Sequence, residues 1–236
     1  KVEKLAYLYG PTYYTPKVKM CGISKVETIP AIIDAKPDYM GLVFAPSKRQ
    51  VTVEQAKILV EELHRGYAKK YSSDTEHDKN DTIKTVGVFV NETVDNLVTI
   101  ANEANLDAVQ LHGDEDETFI QSLKERTNIE VWKAVQIRTA TDTEKWIDSS
   151  ADMLLFDAYH KDERGGTGDV FDWSSLDAFE RPFMLAGGID STNVARAIRT
   201  VRPYGIDISS GIETNGMKDD EKMKAFTNIV RTIALS

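Results

Sequence analysis

Eight short apolar runs at a nearly regular spacing are the feature of this sequence that most restricts its fold. Each run has the length of a strand, and most are separated by a segment with the period of an amphipathic helix. The runs begin roughly 20 to 30 residues apart, the length of one strand plus one helix, except for a longer gap between the second and the third. The runs are Val18–Cys21, Tyr39–Phe44, Val86–Val90, Ala108–Leu111, Val131–Val135, Met153–Phe156, Phe183–Ala186 and Ile206–Ile208.

Helical segments follow several of these runs. Thr52 and Gln55 have the spacing of a capping box at the start of one segment, where the Thr side chain and the Gln side chain each accept a backbone N–H. Apolar residues then recur every three or four positions, as on one helix face. The two clearest faces consist of Val53, Ala56, Val60 and Leu63, and of Met223, Phe226, Val230 and Ile233.

Eight strand–helix units predict an α/β fold, a single closed (β/α)8 TIM barrel, and barrels of this kind commonly form one domain of this length. The competing architecture is an open doubly wound sheet. That sheet normally has about five or six strands and a G-x-G-x-x-G turn after the first, and no such turn follows Val18–Cys21. The pattern favours the barrel.

Two stretches fall outside the repeating pattern. Residues 1–16 contain four tyrosines, two prolines and a glycine without a clear period, which indicates an irregular N-terminal arm before a catalytic domain of residues 17–236. Residues 66–82 fill the long gap, and their polar part carries no apolar face. We therefore predict a surface insertion between the second and third units, on the face of the barrel that serves stability rather than chemistry.

Composition excludes several function classes. The net charge of −9 and the pI near 5.0 argue against nucleic acid or an anionic membrane as the main partner. A single cysteine excludes an intrachain disulfide, and four scattered histidines lack the spacing of metal ligands. No apolar run approaches the roughly 20 residues that span a bilayer. These features predict a soluble cytoplasmic protein, or a plastid protein if a transit peptide has been removed.

In a barrel of this kind, chemistry belongs to the C-terminal ends of the strands. Asp157 ends the sixth apolar run and precedes the glycine-rich stretch 165–168, so it is a candidate catalytic acid, or else an aspartate that ends a strand or caps a helix. Cys21 ends the first run and shares a strand face with Lys19. Its alternative role is that of a small buried apolar residue.

Other candidate side chains follow the second and fourth runs. Arg49 could bind a carboxylate through two hydrogen bonds, or it could be a solvated loop arginine. Gln110 and His112 share one face of the fourth strand, which suggests a polar site near the barrel mouth, although a histidine satisfied within the core is the simpler interpretation.

The loops after the seventh and eighth runs predict an anion site. In this fold these two loops frequently bind phosphate, because small residues let backbone N–H groups approach the anion. Gly187 and Gly188 follow the seventh run, and Ser209, Ser210 and Gly211 follow the eighth. A phosphorylated small-molecule substrate follows from this arrangement, with two ordinary glycine turns as the alternative.

Taken together, these motifs resemble those of phosphoribosylanthranilate isomerase, from about Val18 to the C-terminus. Any one motif is unspecific, whereas seven in this order on the expected strands are specific. The motifs are Lys19-Met20-Cys21-Gly22-Ile23, Phe44 to Arg49, Val109 to Glu115, Phe156-Asp157, Gly165-Gly166-Thr167-Gly168, Leu185-Ala186-Gly187-Gly188 and Asp207 to Gly211.

The resemblance implies an isomerase of tryptophan biosynthesis that acts without a cofactor or a metal. It converts N-(5-phosphoribosyl)anthranilate to 1-(2-carboxyphenylamino)-1-deoxyribulose 5-phosphate by an Amadori rearrangement, with Asp157 as general acid and Cys21 as general base. An acid must hold its proton near neutral pH, which burial would favour. The base must act as a thiolate, and Lys19 is a candidate for stabilising that form unless it only pairs with Asp207.

The resemblance also assigns the binding residues. Arg49 is expected to bind the anthranilate carboxylate and Asp207 to contact substrate, with Gln110 and His112 as further substrate-binding candidates. The phosphate is expected at Gly187, Gly188, Ser209, Ser210 and Gly211. The glycine run 165–168 is expected to be a hinge in a loop that closes over the sugar.

Several alternatives stay open on the sequence. One is a related phosphosugar barrel, such as the isomerase of histidine biosynthesis, although that enzyme uses two aspartates and this chain has Cys21 where the first would lie. Indole-glycerol-phosphate synthase needs lysines and glutamates that are not seen on the strands. The third alternative is a phosphate-binding module without catalytic activity. The chain is expected to be a monomer or homodimer, and it could be fused to or associated with other tryptophan-pathway enzymes.

Overall fold

Eight parallel strands form a closed barrel, with each strand paired to its neighbours in chain order and β8 paired to β1. The computed structural model describes residues 15–72, 82–139, 141–158, 173–176 and 179–233. The predicted barrel is confirmed, and the open sheet is excluded. The strands are β1 Lys17–Cys21, β2 Tyr39–Val43, β3 Lys84–Phe89, β4 Ala108–Leu111, β5 Glu130–Gln136, β6 Met153–Asp157, β7 Phe183–Ala186 and β8 Gly205–Ile208.

Helices connect the strands and cover the outside of the barrel. Short 3-10 turns occupy 26–28, 173–176 and 210–212, and a two-stranded hairpin of β9 Glu213–Thr214 and β10 Met217–Lys218 follows the last of them. The α-helices are α1 Ile29–Ala35, α2 Val53–Tyr71, α3 Val94–Glu103, α4 Glu117–Lys124, α5 Thr141–Glu144, α6 Val194–Val201 and α7 Asp220–Ile233.

The predicted capping box at the start of α2 is present. Thr52 Oγ1 accepts the backbone N–H of Gln55 at 3.2 Å, and Gln55 Oε1 accepts the backbone N–H of Thr52 at 2.8 Å. Two N–H groups that a helix start leaves without an intrahelical partner are thereby satisfied. Both predicted apolar helix faces are also found, since Ala56, Val60 and Leu63 on α2 are buried, as are most of their counterparts on α7.

Two layers of buried side chains hold the fold together. The larger lies between the strands and the surrounding helices, and a smaller cluster that includes Trp132 and Tyr39 fills the barrel centre. Polar side chains are also buried inside, among them Lys19, Gln110 and Lys133. Buried polar groups need hydrogen-bond partners, so these residues indicate polar interactions inside the barrel in addition to apolar packing. Within the described ranges no helix has the length and apolar character required to cross a membrane.

The predicted insertion begins later than the sequence suggested. Residues 66–71 continue α2, because the apolar spacing extends from Leu63 to Tyr67, which is buried, and to Tyr71, whose ring lies 4.7 Å from that of Tyr67. A Cβ at Gly66 would lie 2.6 Å from Ile33 Cδ1, so this turn packs closely on α1. Residues 73–81, the arm at 1–14 and the predicted hinge at 165–168 lie outside the described residues.

Candidate active site

One cavity of about 390 Å³ opens at the C-terminal ends of the barrel strands. This is the end at which parallel strand–helix units present their connecting loops, and therefore the end at which chemistry was expected. The structure brings together every predicted site residue except Gly211. The predicted residues that line the cavity are Cys21, Arg49, Gln110, His112, Asp157, Gly187, Gly188, Asp207, Ser209 and Ser210.

Cys21 is the last residue of β1 and lies in a charged but buried environment. Its neighbour on the same strand face, Lys19, is fully buried and donates to Asp207 Oδ1 across the β1–β8 pairing at 3.1 Å. Burial raises the pKa of the Cys21 thiol, while Lys19 and Lys218 act in the opposite direction. Lys19 therefore has both suggested roles, since it pairs with Asp207 and favours the thiolate, but it does not by itself outweigh burial.

The buried ion pair also fixes the charge of Lys19. Burial works to lower the pKa of this ammonium, but Asp207 and Cys21 outweigh burial and raise it. A cation that is held charged beside the thiol stabilises the thiolate whenever the proton leaves.

Asp157 is the last residue of β6 and faces His112 across the cavity mouth. The His112 Nε2 to Asp157 Oδ2 distance is 3.5 Å, and the two side chains are 35% and 24% exposed. His112 is therefore not a core histidine. Asp157 is partly buried, because the strand ends at the cavity that this residue lines.

Gln110 contacts His112 through its side-chain amide. The Gln110 Nε2 amide lies 2.8 Å from His112 Nδ1, and an amide nitrogen can only donate. With the amide in this orientation, His112 Nδ1 accepts, and in that tautomer Nε2, the atom that faces Asp157, carries the ring proton. Gln110 Oε1 is buried at the cavity with no hydrogen-bond partner among the residues that the structure describes.

Arg49 is held by Glu213, a residue that none of the sequence motifs indicated. Its Nε and Nη2 donate to the two carboxylate oxygens of Glu213 at 2.6 and 2.9 Å. Lys218 donates to the same carboxylate at 3.0 Å, and both Glu213 and Lys218 are nearly buried. Burial alone would raise the pKa of Glu213, but Arg49 and Lys218 outweigh it and lower this pKa to about 2.

Glu213 and Lys218 face each other on the β9–β10 hairpin. The signal for this hairpin is in the sequence, because Asn215-Gly216 is the dipeptide most typical of a two-residue turn with positive φ. The structure has φ of 53° at Asn215 and 77° at Gly216. A search for hairpins after the eighth apolar run would have placed this pair beside the site.

The two predicted phosphate loops both reach the cavity. Gly187 and Gly188 have φ of 93° and 62°, a conformation that side chains rarely adopt, so glycine is required for this path. Ser209 Oγ donates to the Cys21 carbonyl at 3.1 Å, which ties the second loop to β1. Gly211 does not line the cavity. A Cβ there would lie 2.3 Å from the Ile189 carbonyl, so Gly211 lets the two loops pack against each other.

A buried ion pair supports the loop that carries His112. Lys133 Nζ donates to Glu115 Oε2 at 2.9 Å and to the Gly113 carbonyl at 2.7 Å, and Glu115 accepts the N–H groups of Gly113 and Asn91. The side chains of Lys133 and Glu115 are 3% and 2% exposed. Because the pair satisfies both backbone groups of Gly113, it fixes the course of the chain directly after His112.

The described residues contain no group of three or more His, Cys, Asp or Glu side chains arranged to hold a metal ion. The cavity instead offers one thiol, two carboxylates, an imidazole and a guanidinium, together with backbone N–H groups in two glycine-containing loops. This set can transfer protons and bind two separate anionic groups.

Comparison with known proteins gives a consistent result. Residues 18–229 match the family model of N-(5'phosphoribosyl)anthranilate (PRA) isomerase. A curated relative, the N-(5'-phosphoribosyl)anthranilate isomerase of Thermoanaerobacter sp. (strain X514), is 47% identical over 219 residues, which cover 92% of this chain and 98% of that protein.

Solved structures agree with the sequence comparison. A crystal structure of monomers generated from the dimeric phosphoribosylanthranilate isomerase of Thermotoga maritima has a TM-score of 0.74 at 32% identity, covering 92% of this chain and 99% of that one. A phosphoribosylanthranilate isomerase in complex with reduced 1-(o-carboxyphenylamino)-1-deoxyribulose 5-phosphate has a TM-score of 0.73 at 31% identity, with the same coverage.

Proposed function

The chain belongs to the N-(5'-phosphoribosyl)anthranilate isomerase family, and we propose that it catalyses the family's Amadori rearrangement with Asp157 as general acid and Cys21 as general base. The reaction converts N-(5-phosphoribosyl)anthranilate to 1-(2-carboxyphenylamino)-1-deoxyribulose 5-phosphate in tryptophan biosynthesis. The observation that carries the proposal is that Cys21 and Asp157, at the ends of β1 and β6, line one cavity together with Arg49 and two glycine-containing loops.

The first chemical step opens the ribose ring. Asp157 donates its proton to the ring oxygen, and the bond between that oxygen and C1 breaks as the lone pair of the anthranilate nitrogen forms a Schiff base. His112 Nε2 lies 3.5 Å from the Asp157 carboxylate, so a proton on this nitrogen can be donated to the carboxylate that remains.

The second step moves a proton from C2. Cys21, as the thiolate, removes this proton, and the electrons of the C–H bond give an enolamine that tautomerises to the ketone. The 2-hydroxyl loses a proton as the ring oxygen gains one, and C1 gains a proton as C2 loses one, so substrate and product are isomers. No redox partner is needed, and the proposed steps use no cofactor. Lys19 and Lys218 favour the thiolate that the step requires.

The binding roles follow the two ends of the substrate. Arg49 binds the anthranilate carboxylate, and Asp207, Gln110 and His112 contact the substrate between the two anionic groups. Gln110 Oε1, which is buried at the cavity and lacks a hydrogen-bond partner in the described part of the chain, is suited to accept a sugar hydroxyl. The phosphate binds to backbone N–H groups at Gly187, Gly188, Ser209 and Ser210, while Gly211 packs the two loops together.

We propose a cytoplasmic location, which the bacterial relative favours over a plastid. The chain is a monomer or homodimer, and the dimeric Thermotoga maritima protein favours the homodimer. Fusion or association with other tryptophan-pathway enzymes stays a prediction. No structural observation favours the histidine-pathway isomerase or a module without activity over the proposed function.

The direct test is incubation with freshly prepared N-(5-phosphoribosyl)anthranilate, with loss of its fluorescence as the readout. We expect turnover by the wild type and none by Cys21→Ala or Asp157→Asn, while circular dichroism shows that both variants keep the fold. A wild type without turnover would contradict the proposed reaction. Near-wild-type rates in either variant would instead remove that residue from the acid/base pair and leave the reaction in place.

A further inference from the structure

Glu213 contacts Arg49 in a way that leaves a specific part of the guanidinium available. It accepts Nε–H and one Nη2–H, the side edge of the planar group, at 2.6 and 2.9 Å. A guanidinium has five N–H donors in a fixed plane, so the end edge, formed by Nη1 and the second Nη2–H, keeps its donors. Within the described ranges no other side chain or carbonyl accepts from this guanidinium.

The aliphatic part of the Arg49 side chain is also restricted, because it packs closely on Gly22. A Cβ at Gly22 would lie 2.4 Å from Arg49 Cδ, so the arginine crosses the chain where only glycine leaves room. Gly22 has φ of 80°, which independently favours glycine at this position. The stem of Arg49 is therefore held at Gly22 and its head at Glu213. Its side chain is 23% exposed and lines the cavity.

A second buried cation, Lys218, holds Glu213 itself. Lys218 Nζ donates to Glu213 Oε1 at 3.0 Å and to the Ser209 carbonyl at 2.8 Å. Lys218 thus connects the glutamate that holds Arg49 to the loop in which the phosphate is expected. Both hairpin side chains are 6% exposed, and a buried charge-assisted network of this kind has little freedom to rearrange.

From this geometry we propose that Glu213 is a positioning residue for the reaction. It orients Arg49 so that the end edge of the guanidinium faces the cavity, where it receives the anthranilate carboxylate through two parallel hydrogen bonds. Through Lys218, Glu213 also fixes the separation between the carboxylate site and the phosphate loop. This inference rests on the proposed function, and it gives the β9–β10 hairpin a role in substrate recognition.

The effect of removing Glu213 is expected in substrate binding rather than in the chemical steps. The anthranilate carboxylate carries the same charge in substrate and transition state, so its contact with Arg49 stabilises both alike. Glu213→Gln keeps the shape of the side chain but cannot accept two N–H groups from Arg49 while also accepting from Lys218. We expect KM to rise roughly ten- to hundredfold, the loss associated with a hydrogen bond to a charged group, with kcat within about threefold of the wild type.

A double-mutant cycle separates positioning from general support of the fold. We would measure kcat and KM for the wild type, Glu213→Gln, Arg49→Met and the double variant, with Glu221→Gln as a matched control. Glu221 lies in the first turn of α7, and its side chain is 90% exposed. If Glu213 acts through Arg49, the double variant has the KM of Arg49→Met alone, because the group that Glu213 orients is already absent. The Glu221 variant behaves as the wild type.

Three outcomes would overturn the inference, and a fourth would support it. An unchanged KM in Glu213→Gln, with the wild type active, would overturn it and leave the proposed function intact. Additive losses in the double variant would also overturn it, since they would show that Glu213 acts independently of Arg49. A wild type without turnover would overturn both proposals together. Recovery of KM toward the wild-type value in Glu213→Asp, which retains the carboxylate, would support positioning by charge and geometry.

Discussion

At the scale of single residues, the site is defined by opposing influences on one thiol. Cys21 is buried at the end of β1, which disfavours the thiolate, and two cations act against that burial. One of them, Lys19, also forms an ion pair with Asp207 across the β1–β8 pairing. The other, Lys218, belongs to a hairpin more than half the chain away from β1. The reactivity of the cysteine therefore depends on one cation of its own strand and on a second that lies far away in sequence.

Lys218→Met tests this dependence through the pH profile. Removing the cation raises the pKa of the Cys21 thiol, because burial is then opposed by Lys19 alone. The base must be a thiolate, so we expect the rising limb of kcat/KM against pH to move to higher pH. The matched control is Lys48→Met, whose ammonium also contacts Glu213 but is 61% exposed. Identical rising limbs in Lys218→Met and the wild type would contradict the role of Lys218.

Glu213 should make the protein sensitive to acid. Its pKa is lowered to about 2 in the folded chain, whereas its ordinary value is 4.5. A lowered pKa contributes stability that is present above the ordinary value and is lost as the pH falls toward the folded value. We therefore expect the wild-type melting temperature to fall more steeply than that of Glu213→Gln as the pH drops from 4.5 toward 2. If differential scanning calorimetry shows that both melting temperatures fall in parallel with pH, the Glu213 carboxylate does not contribute this pH-dependent stability.

At the scale of elements, the loop after β4 depends on the buried Lys133–Glu115 pair. Lys133→Met leaves the Glu115 carboxylate buried without its cation, which typically costs about 3 to 5 kcal/mol of unfolding free energy. Adding Glu115→Gln should recover part of that loss, since the uncompensated charge is then gone. Urea unfolding of the two variants measures both effects.

An exposed ion pair offers the comparison. Lys84 and Glu130 lie on β3 and β5 with side chains 48% and 41% exposed, 2.9 Å apart. Lys84→Met should lower the free energy of unfolding by no more than about 1 kcal/mol, because water screens the remaining charge of Glu130. If Lys133→Met lowers the free energy of unfolding by an equally small amount, the Lys133–Glu115 pair does not hold the His112 loop in the way that its burial implies.

The sequence predicted those elements whose signal is local. All eight barrel strands were predicted because each is a short apolar run. The start of α2 was predicted because a capping box can be recognised from four consecutive residues. The end of α2 was misplaced because Tyr67 and Tyr71, which continue its apolar face, lie within an otherwise polar stretch. Glu213 was missed for a different reason. It lies in a two-residue strand, too short to show a period, and its partner Arg49 is 164 residues away.

At the scale of the whole molecule, the barrel separates a chemical face from a structural one. The cavity opens where strands end, whereas residues 72 and 82, which border the undescribed stretch 73–81, lie between the end of α2 and the start of β3. Connections from a helix to the next strand belong to the opposite face of a parallel barrel.

Replacement of residues 73–81 by a glycine–serine sequence of equal length tests this separation. We expect kcat/KM for N-(5-phosphoribosyl)anthranilate to stay within about twofold of the wild type, since loops on that face serve stability. A loss of tenfold or more would show that this stretch affects the site.

Closure of the barrel by β8 on β1 has a consequence for how the enzyme is made. Lys19 contacts Asp207, and the Cys21 carbonyl contacts the Ser209 hydroxyl, only when β8 is in place, and the residues of each pair are 188 positions apart in sequence. Contacts between such distant parts of a chain form late, after the intervening loop has been closed. A ribosome-bound chain that has not yet released β8 thus carries Lys19 beside Cys21 but lacks Asp207, Lys218 and the loop that contains Ser209. We therefore expect the site to assemble only after β8 pairs with β1, and a chain truncated before β8 to lack turnover.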